Sequence, residues 1–261
     1  MTSLSYAVSD SATMLRRNLL HARRYPAMTF STLVMPVIIL LLFNYAFGGA
    51  LGAGIGDGSV KYIDYIAPGI ILMSVASGGV GTAVGVSSDL TEGIVNRFRT
   101  MAISRASFLT GHVVGGVIQT MTSVVLVVAV ALAMGFRPDA TALEWLAAFG
   151  LLTLLTFALT WLAAGVGLIA RNPESASNIP LPFQFLPFLG SAIVPPESMP
   201  GGLRWFAEYQ PFTPIIETLR GLLMGTPYGN SPVLALAWCA GLGLAGYLWA
   251  RSRFQRGPVV R

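Results

Sequence analysis

Long apolar runs separated by short polar breaks make up most of the chain. Runs at about 28–47, 63–86, 107–134, 143–170 and 232–250 reach the length of roughly 20 residues that a helix needs to cross a hydrocarbon core. A further run, at about 179–194, is interrupted by Pro180, Pro182 and Pro187. Each proline removes a backbone donor and crowds the preceding turn, so a locally unwound or kinked helix is predicted there. The first run is longer than the 7–15 residues of a signal-peptide core, and Pro36 inside it kinks a membrane helix without excluding one. Gly48–Gly58 reads as a glycine-rich turn, and Arg171–Ser177 as a short connection.

Between the last two runs lies FLGSAIVPPESMPGGLRWFAEYQPFTPIIETLRGLLMG, residues 188–225. Proline brackets two apolar segments in it, Leu203–Tyr209 and Ile215–Met224, both too short to span. Thr213-Pro214 reads as a helix start, with a hydroxyl cap followed by proline, and Gly225 as its stop. A helix of about 11 residues is roughly 16 Å long, half a hydrocarbon core. Two arrangements fit: a hairpin packed outside the membrane, or a pair of helices dipping back into one leaflet under cover of other helices. Glu217 and Arg220 stand three residues apart and are expected to pair on one helix face, because a satisfied pair in a leaflet costs far less than an isolated charge.

Two polar stretches carry helical periodicity. From Ser9 to Tyr25, Ala12, Leu15, Leu19 and Ala22 share a face, and Arg16, Arg17, Arg23 and Arg24 fall mostly away from it. That pattern predicts a basic amphipathic helix in the membrane interface, ended near Pro26. In SSDLTEGIVNRFRTMAISRA, residues 87–106, Ile94, Phe98 and Met101 recur at helical spacing. A short helix within Asp89–Arg105 is expected, with Glu92, Asn96, Arg97 and Arg99 on a polar surface.

Composition agrees with the pattern. Only 10% of the 261 residues are charged and 54% are hydrophobic, against about 25% charge in an average soluble domain. The fold class is therefore all-α integral membrane: six transmembrane helices, an N-terminal amphipathic interfacial helix, and a short extracytoplasmic re-entrant helical hairpin between the fifth and sixth spans. Of the sixteen Lys and Arg residues, twelve fall at the ends and loops on the side of the termini, and only Lys61, Arg137, Arg204 and Arg220 on the other. The positive-inside rule then puts both termini in the cytoplasm. The formal charge of +5 follows this loop bias and does not indicate nucleic-acid binding.

The missing chemistry narrows the function. Cys239 is the single cysteine, and His21 and His112 lie far apart, so no metal-ligand spacing or protease motif is present. Lys61 is the only lysine and is not in a Gly-Lys-Ser/Thr loop, so the chain has no P-loop of its own for ATP. The middles of the spans offer mainly Asn44, Gln119 and Gln184 rather than the acidic residues of a proton- or sodium-driven carrier. His112, near a span end, reads as an interfacial histidine with a backbone partner. If the protein moves a substrate, the energy comes from another chain.

The chain resembles the permeases of ABC-2 type transporters, in the group that includes the daunorubicin/doxorubicin resistance permeases. The resemblance covers nearly the whole length. It rests on ARRYPAMTFSTLVMPVIILLLFNYAFGG (22–49), YIDYIAPGIILM (62–73), EGIVNRFRTMAISR (92–105) and PPESMP (195–200) followed by Pro211, Thr213, Glu217, Arg220 and Gly225. Ala102 departs from the proline that relatives often carry there. The resemblance implies a single transmembrane domain over 1–261, divided into a cytoplasmic helix (1–27), spans one to five (28–194), an extracytoplasmic hairpin (195–230), and span six with a basic tail (231–261). It implies a multi-pass subunit of the inner (cytoplasmic) membrane, in contact with the lipid bilayer. Its expected partners are a second copy or a sister permease and a separate ABC ATP-binding subunit that holds ATP and Mg, with no cofactor on this chain. It implies export of a lipophilic drug, antibiotic or lipid-like substrate. Export of a lipid-linked glycan, a secondary carrier and a non-transporting assembly subunit are the alternatives.

Residue roles follow from the same reading. Asp89, Glu92, Arg97, Arg99 and Arg105 are expected to couple to the ATPase, buttressed by Arg16 and Arg17. Headgroup anchoring would serve the three arginines of this loop equally well, but Glu92 gains nothing from anionic lipid. Met73, Phe183, Phe185 and Phe188 are expected to line a substrate cavity, with ordinary packing or lipid contact the alternative for each. Glu217 and Arg220 are expected to brace an outer gate.

Overall fold

The computed structural model describes residues 26–52, 61–93 and 105–255, together with the helical positions Thr13 and Leu15. Arg16, Arg17, Arg97 and Arg99, and with them the N-terminal amphipathic helix and most of the charged loop helix, lie outside the described residues; Arg105 is described only as the first residue of a helix. The described residues are helical, without strands.

From Pro26 on, α1 (Pro26–Leu41) passes through a π-helical stretch (Leu42–Phe47) into α2 (Gly48–Gly52). The glycine-rich turn expected over Gly48–Gly58 is helical at its start, through Gly52, and residues 53–58 lie outside the described residues. Four long helices follow: α3 (Tyr62–Thr91), α4 (Arg105–Ala133), α5 (Ala142–Ile169) and, after a break, α10 (Ser231–Gln255). These four are long and apolar enough to cross a membrane, and Val34–Ala50 is a shorter apolar helix. Thr141 starts α5 with a reciprocal cap: its backbone N–H donates to the Glu144 carboxylate at 2.7 Å, and its hydroxyl accepts from the Glu144 N–H.

The central element is α3, which touches α1, α4, α5 and the segments that follow α5. It runs antiparallel to α4, where small residues meet reciprocally: a methyl group at Gly78 would overlap Thr120, and one at Gly116 would overlap Thr82. Close backbone approach of this kind is how helices associate in lipid, where burial of apolar surface supplies no net drive. Helix α10 runs parallel to α5, with Gly243 on Ala158 and Gly246 on Leu162. Three hydroxyls inside the bundle are satisfied locally: Ser74, Thr156 and Thr160 donate to carbonyls four residues back, so these groups need no water.

From α5 to α10 the chain returns in pieces. Asn172 caps α6 (Pro173–Asn178), accepting from the Ser175 N–H at 2.7 Å with Pro173 at the first helical position. A short helix thus stands where a plain connection was expected. Next come α7 (Leu181–Phe185), a 3-10 turn (Leu186–Leu189) and an irregular segment. The run 179–194 is thus not one continuous helix, as its three prolines foretell. Ala176 packs with Ala83 and Ala163, and Ala192 lies against Gly69. Between those two points on α3 the helix rises about 21 Å. A second 3-10 turn (Pro196–Ser198), α8 (Gly201–Tyr209) and α9 (Phe212–Met224) complete the return.

Candidate functional site: the two ends of the central helix

At the Tyr62 end of α3, helix α9 inserts into the bundle against α3, α5 and α10. Phe212, Ile215, Ile216, Leu219 and Leu223 recur at the helical period and are all buried. The start of α9 differs from expectation. It begins at Phe212, and the Thr213 hydroxyl donates to the Ala207 carbonyl at 2.5 Å instead of capping the helix. Gln210 takes over, its side-chain oxygen accepting the Phe212 N–H at 3.3 Å while its amide donates to Thr213 at 3.1 Å. Gly225 ends the helix in the left-handed region at φ 67°, where a side chain would be strained.

Glu217 and Arg220 do not pair with each other. Each finds a partner on another segment. The Arg220 guanidinium donates through Nη2 to the Ser191 carbonyl at 2.8 Å and the Tyr65 carbonyl at 3.3 Å, and lies 4.0 Å above the Tyr65 ring. The Tyr65 hydroxyl donates to the same Ser191 carbonyl at 3.3 Å. Glu217 accepts from the Ser231 hydroxyl at 2.9 Å, tying α9 to the first residue of α10. The physical reason is geometry: α9 is wedged between helices, so the broken segment and α10 are nearer to each charge than the neighbouring turn is. Gly69 completes the seat, because a Cβ there would stand 2.5 Å from the Ala192 oxygen. Tyr65, Ser191, Gln210 and Ser231 are absent from the sequence-derived set. Only Tyr65 and Gln210 carried a signal, through their positions in YIDYIAPG and beside Pro211.

By contrast, α8 is exposed on every face except at Ala207. Arg204 and Glu208 form an i,i+4 ion pair at 2.7 Å, and the rings of Trp205 and Tyr209 meet at a tilt of 40° with centroids 5.5 Å apart. The two short helices of the bracketed stretch are therefore unlike: α9 belongs to the core and α8 lies on its surface.

At the other end of α3, Asp89 sits in the last helical turn, buried, and its carboxylate meets His112 Nε2 on α4 at 3.0 Å. Asp89 thus turns inward and is no part of an exposed loop helix. The partner of His112 is this carboxylate, not the backbone group expected. Helix α3 closes at Glu92, which is exposed, and Gly93 takes φ 71°, a left-handed stop that separates the span from the residues after it.

Of the expected cavity residues, Phe185 and Phe188 lie together and Met73 stands apart from them. Met73 is 5% exposed within the core, whereas Phe183 and Phe185 are 48% and 57% exposed on the broken segment. Phe188 touches Phe185 at 6.1 Å and Phe43 at 6.5 Å, and Phe43 touches Phe47 at 5.5 Å. Phe185 and Phe188 thus join a row of rings with the π-helical stretch after α1.

Comparison with known proteins places this architecture. The family profile of the ABC-2 type transporter matches residues 11–224. A daunorubicin resistance ABC transporter permease protein of Streptomyces coeruleorubidus is 30% identical over 237 residues, covering 90% of this chain and 82% of the relative. A probable doxorubicin resistance ABC transporter permease protein of Mycobacterium tuberculosis is 23% identical, with 80% and 75% covered. The inner membrane transport permease YadH of Escherichia coli is 26% identical, with 91% and 93% covered. A helical bundle with four long apolar helices, matched by one family profile over most of its length, is a membrane permease, and the chain belongs to the ABC-2 type transporter family.

Proposed function

We propose that this chain is the transmembrane subunit of an ATP-driven exporter that moves a lipophilic drug, antibiotic or lipid-like substrate out across the cytoplasmic membrane. One observation carries the reading: the identity to the daunorubicin resistance permease extends over 90% of the chain. ATP and Mg are held by a separate ABC ATP-binding subunit, consistent with the lack of a P-loop here. A second copy or a sister permease completes the pathway.

Six crossings accommodate the structure: α1 with its π-helical extension, the four long helices, and the broken return that climbs α3 from Ala83 to Gly69. The twelve basic residues on the side of the termini favour a cytoplasmic location for that side. Glu92 and the arginines after it, Arg97, Arg99 and Arg105, then face the ATPase. The Tyr62 end of α3, with Arg220, Tyr65, Ser191 and Glu217, forms the outer closure. There α9 is the re-entrant element, and α8 rests in the outer interface with Trp205 and Tyr209 at headgroup level. Phe183, Phe185 and Phe188, extended by Phe43 and Phe47, offer aromatic surface to a lipophilic substrate, while Met73 serves as packing.

The test is accumulation of daunorubicin, which is fluorescent, in cells making this chain with its ABC subunit. Several-fold lower accumulation is expected than in cells whose ABC subunit lacks its P-loop lysine. Equal accumulation, with the same outcome across a panel of lipophilic antibiotics, overturns the exporter reading.

A further inference from the structure

The Asp89–His112 contact is built into the fold. Gly85 stands one turn before Asp89 on the same face of α3, and its missing side chain leaves room for the imidazole: a Cβ at Gly85 would lie 3.2 Å from His112 Nδ1 and 3.3 Å from Cε1. Asp89 then meets Nε2 on the other side of the ring at 3.0 Å. Both side chains are buried, at 8% exposure for His112 and 9% for Asp89. On α4, Phe108 lies one turn before His112 and packs edge-on against it with centroids 4.9 Å apart. Phe108 in turn stacks on Phe254 near the end of α10, 5.8 Å away and 14° from parallel. Around this line Val86, Leu109, Val113, Trp161, Ala164 and Ala250 form a hydrophobic cluster of their own, separate from the main core.

These contacts have a mechanical consequence. The pair bridges the two helices that carry the two ends of residues 92–104. A buried side-chain hydrogen bond holds direction as well as distance, so it ties the two helices in one register. A force applied to the segment would otherwise act on two helix ends separately. With the pair in place, the ends of α3 and α4 are tied together, and Phe108 packs them on the end of α10.

We infer that Asp89 and His112 are positioning residues that clasp both arms of the ATPase-facing loop, so that its motion is passed to the spans as a unit. The inference rests on the proposal that this loop meets the ATPase. Neither residue touches the ATPase or the substrate, and both act through the helices they join.

The test uses the full permease with its ABC subunit in nanodiscs, with Asp89→Ala, His112→Ala and the exchange Asp89→His/His112→Asp. Drug moved per ATP hydrolysed should fall about 5–10-fold in each single variant while hydrolysis continues, and the exchange should recover most of it. Unchanged drug moved per ATP in both single variants overturns the clasp. Hydrogen exchange on the same samples reads the clasp without any transport. Each single variant should speed exchange in the facing helix as well as its own, over 84–91 and 108–114 together. Faster exchange confined to the substituted helix overturns the clasp whatever the transport result. If the unsubstituted complex moves no drug, the exporter reading fails, and hydrogen exchange alone decides the clasp.

Discussion

Arg220 illustrates what a single side chain can hold. Its guanidinium bonds two main-chain carbonyls from segments 126 positions apart and covers the ring of Tyr65. Hydrogen bonds from a charged donor contribute about 1.5–3 kcal/mol each, and a planar fork cannot be replaced by an ammonium. Arg220→Ala should cost on the order of 3 kcal/mol, and Arg220→Lys should recover less than half, as read from unfolding of the detergent-solubilised protein. Glu217→Ala removes the acceptor for Ser231, one bond to a charged group, worth about 1.5 kcal/mol. Because the two charges hydrogen-bond to different partners, their coupling in the double variant should stay below about 1 kcal/mol. A coupling above about 1 kcal/mol would restore the direct pair that their spacing suggested. That spacing was legible in the sequence, but the partners were not. Ser191 and Ser231 are ordinary serines until the fold carries them to the charges.

At the scale of elements, the α3–α4 contact depends on two glycines facing two threonines. Gly116→Ala would drive a methyl group into Thr82, whose hydroxyl is buried without a partner. Overpacking of that kind costs about 1–3 kcal/mol. Adding Thr82→Ala should recover part of the loss, since the remaining Cβ stands 3.5 Å away, an ordinary contact, while Thr160 Cγ2 stays at 3.1 Å. Thermal unfolding of the two variants checks both steps, and a stable Gly116→Ala alone would show that the helices can separate freely. The periodic pattern predicted the long helices to within a few residues, because a run of apolar residues in lipid must be helical to satisfy its backbone. It was less informative after Ile169. There the prolines announced a break, but the helix capped by Asn172 and the contrast between exposed α8 and buried α9 depend on neighbours far along the chain.

For the whole molecule, the open question is which end faces the cytoplasm. Cys239 is the only cysteine and is buried, so Cys239→Ala makes a background free of thiols with little disturbance. In it, Glu92→Cys should react with a membrane-impermeant maleimide only after the cells are permeabilised, and Tyr228→Cys in intact cells. The reverse pattern would invert the orientation. If the orientation holds, the Asp89–His112 contact and the Arg220 seat lie at opposite ends of α3, so one helix joins the ATP-driven side to the outer closure.

The sequence alone determined that this is a helical membrane protein without a P-loop motif, and its motifs pointed to the family that the comparisons establish. Those properties depend on composition, run length and local spacing, which neighbours in space do not alter. Only the tertiary structure decided that Asp89 faces inward to His112, that Arg220 and Glu217 serve separate segments, and that Met73 is packed while Phe185 is exposed. A buried polar group must find a partner wherever the fold offers one, and the nearest partner in space is seldom the nearest in sequence.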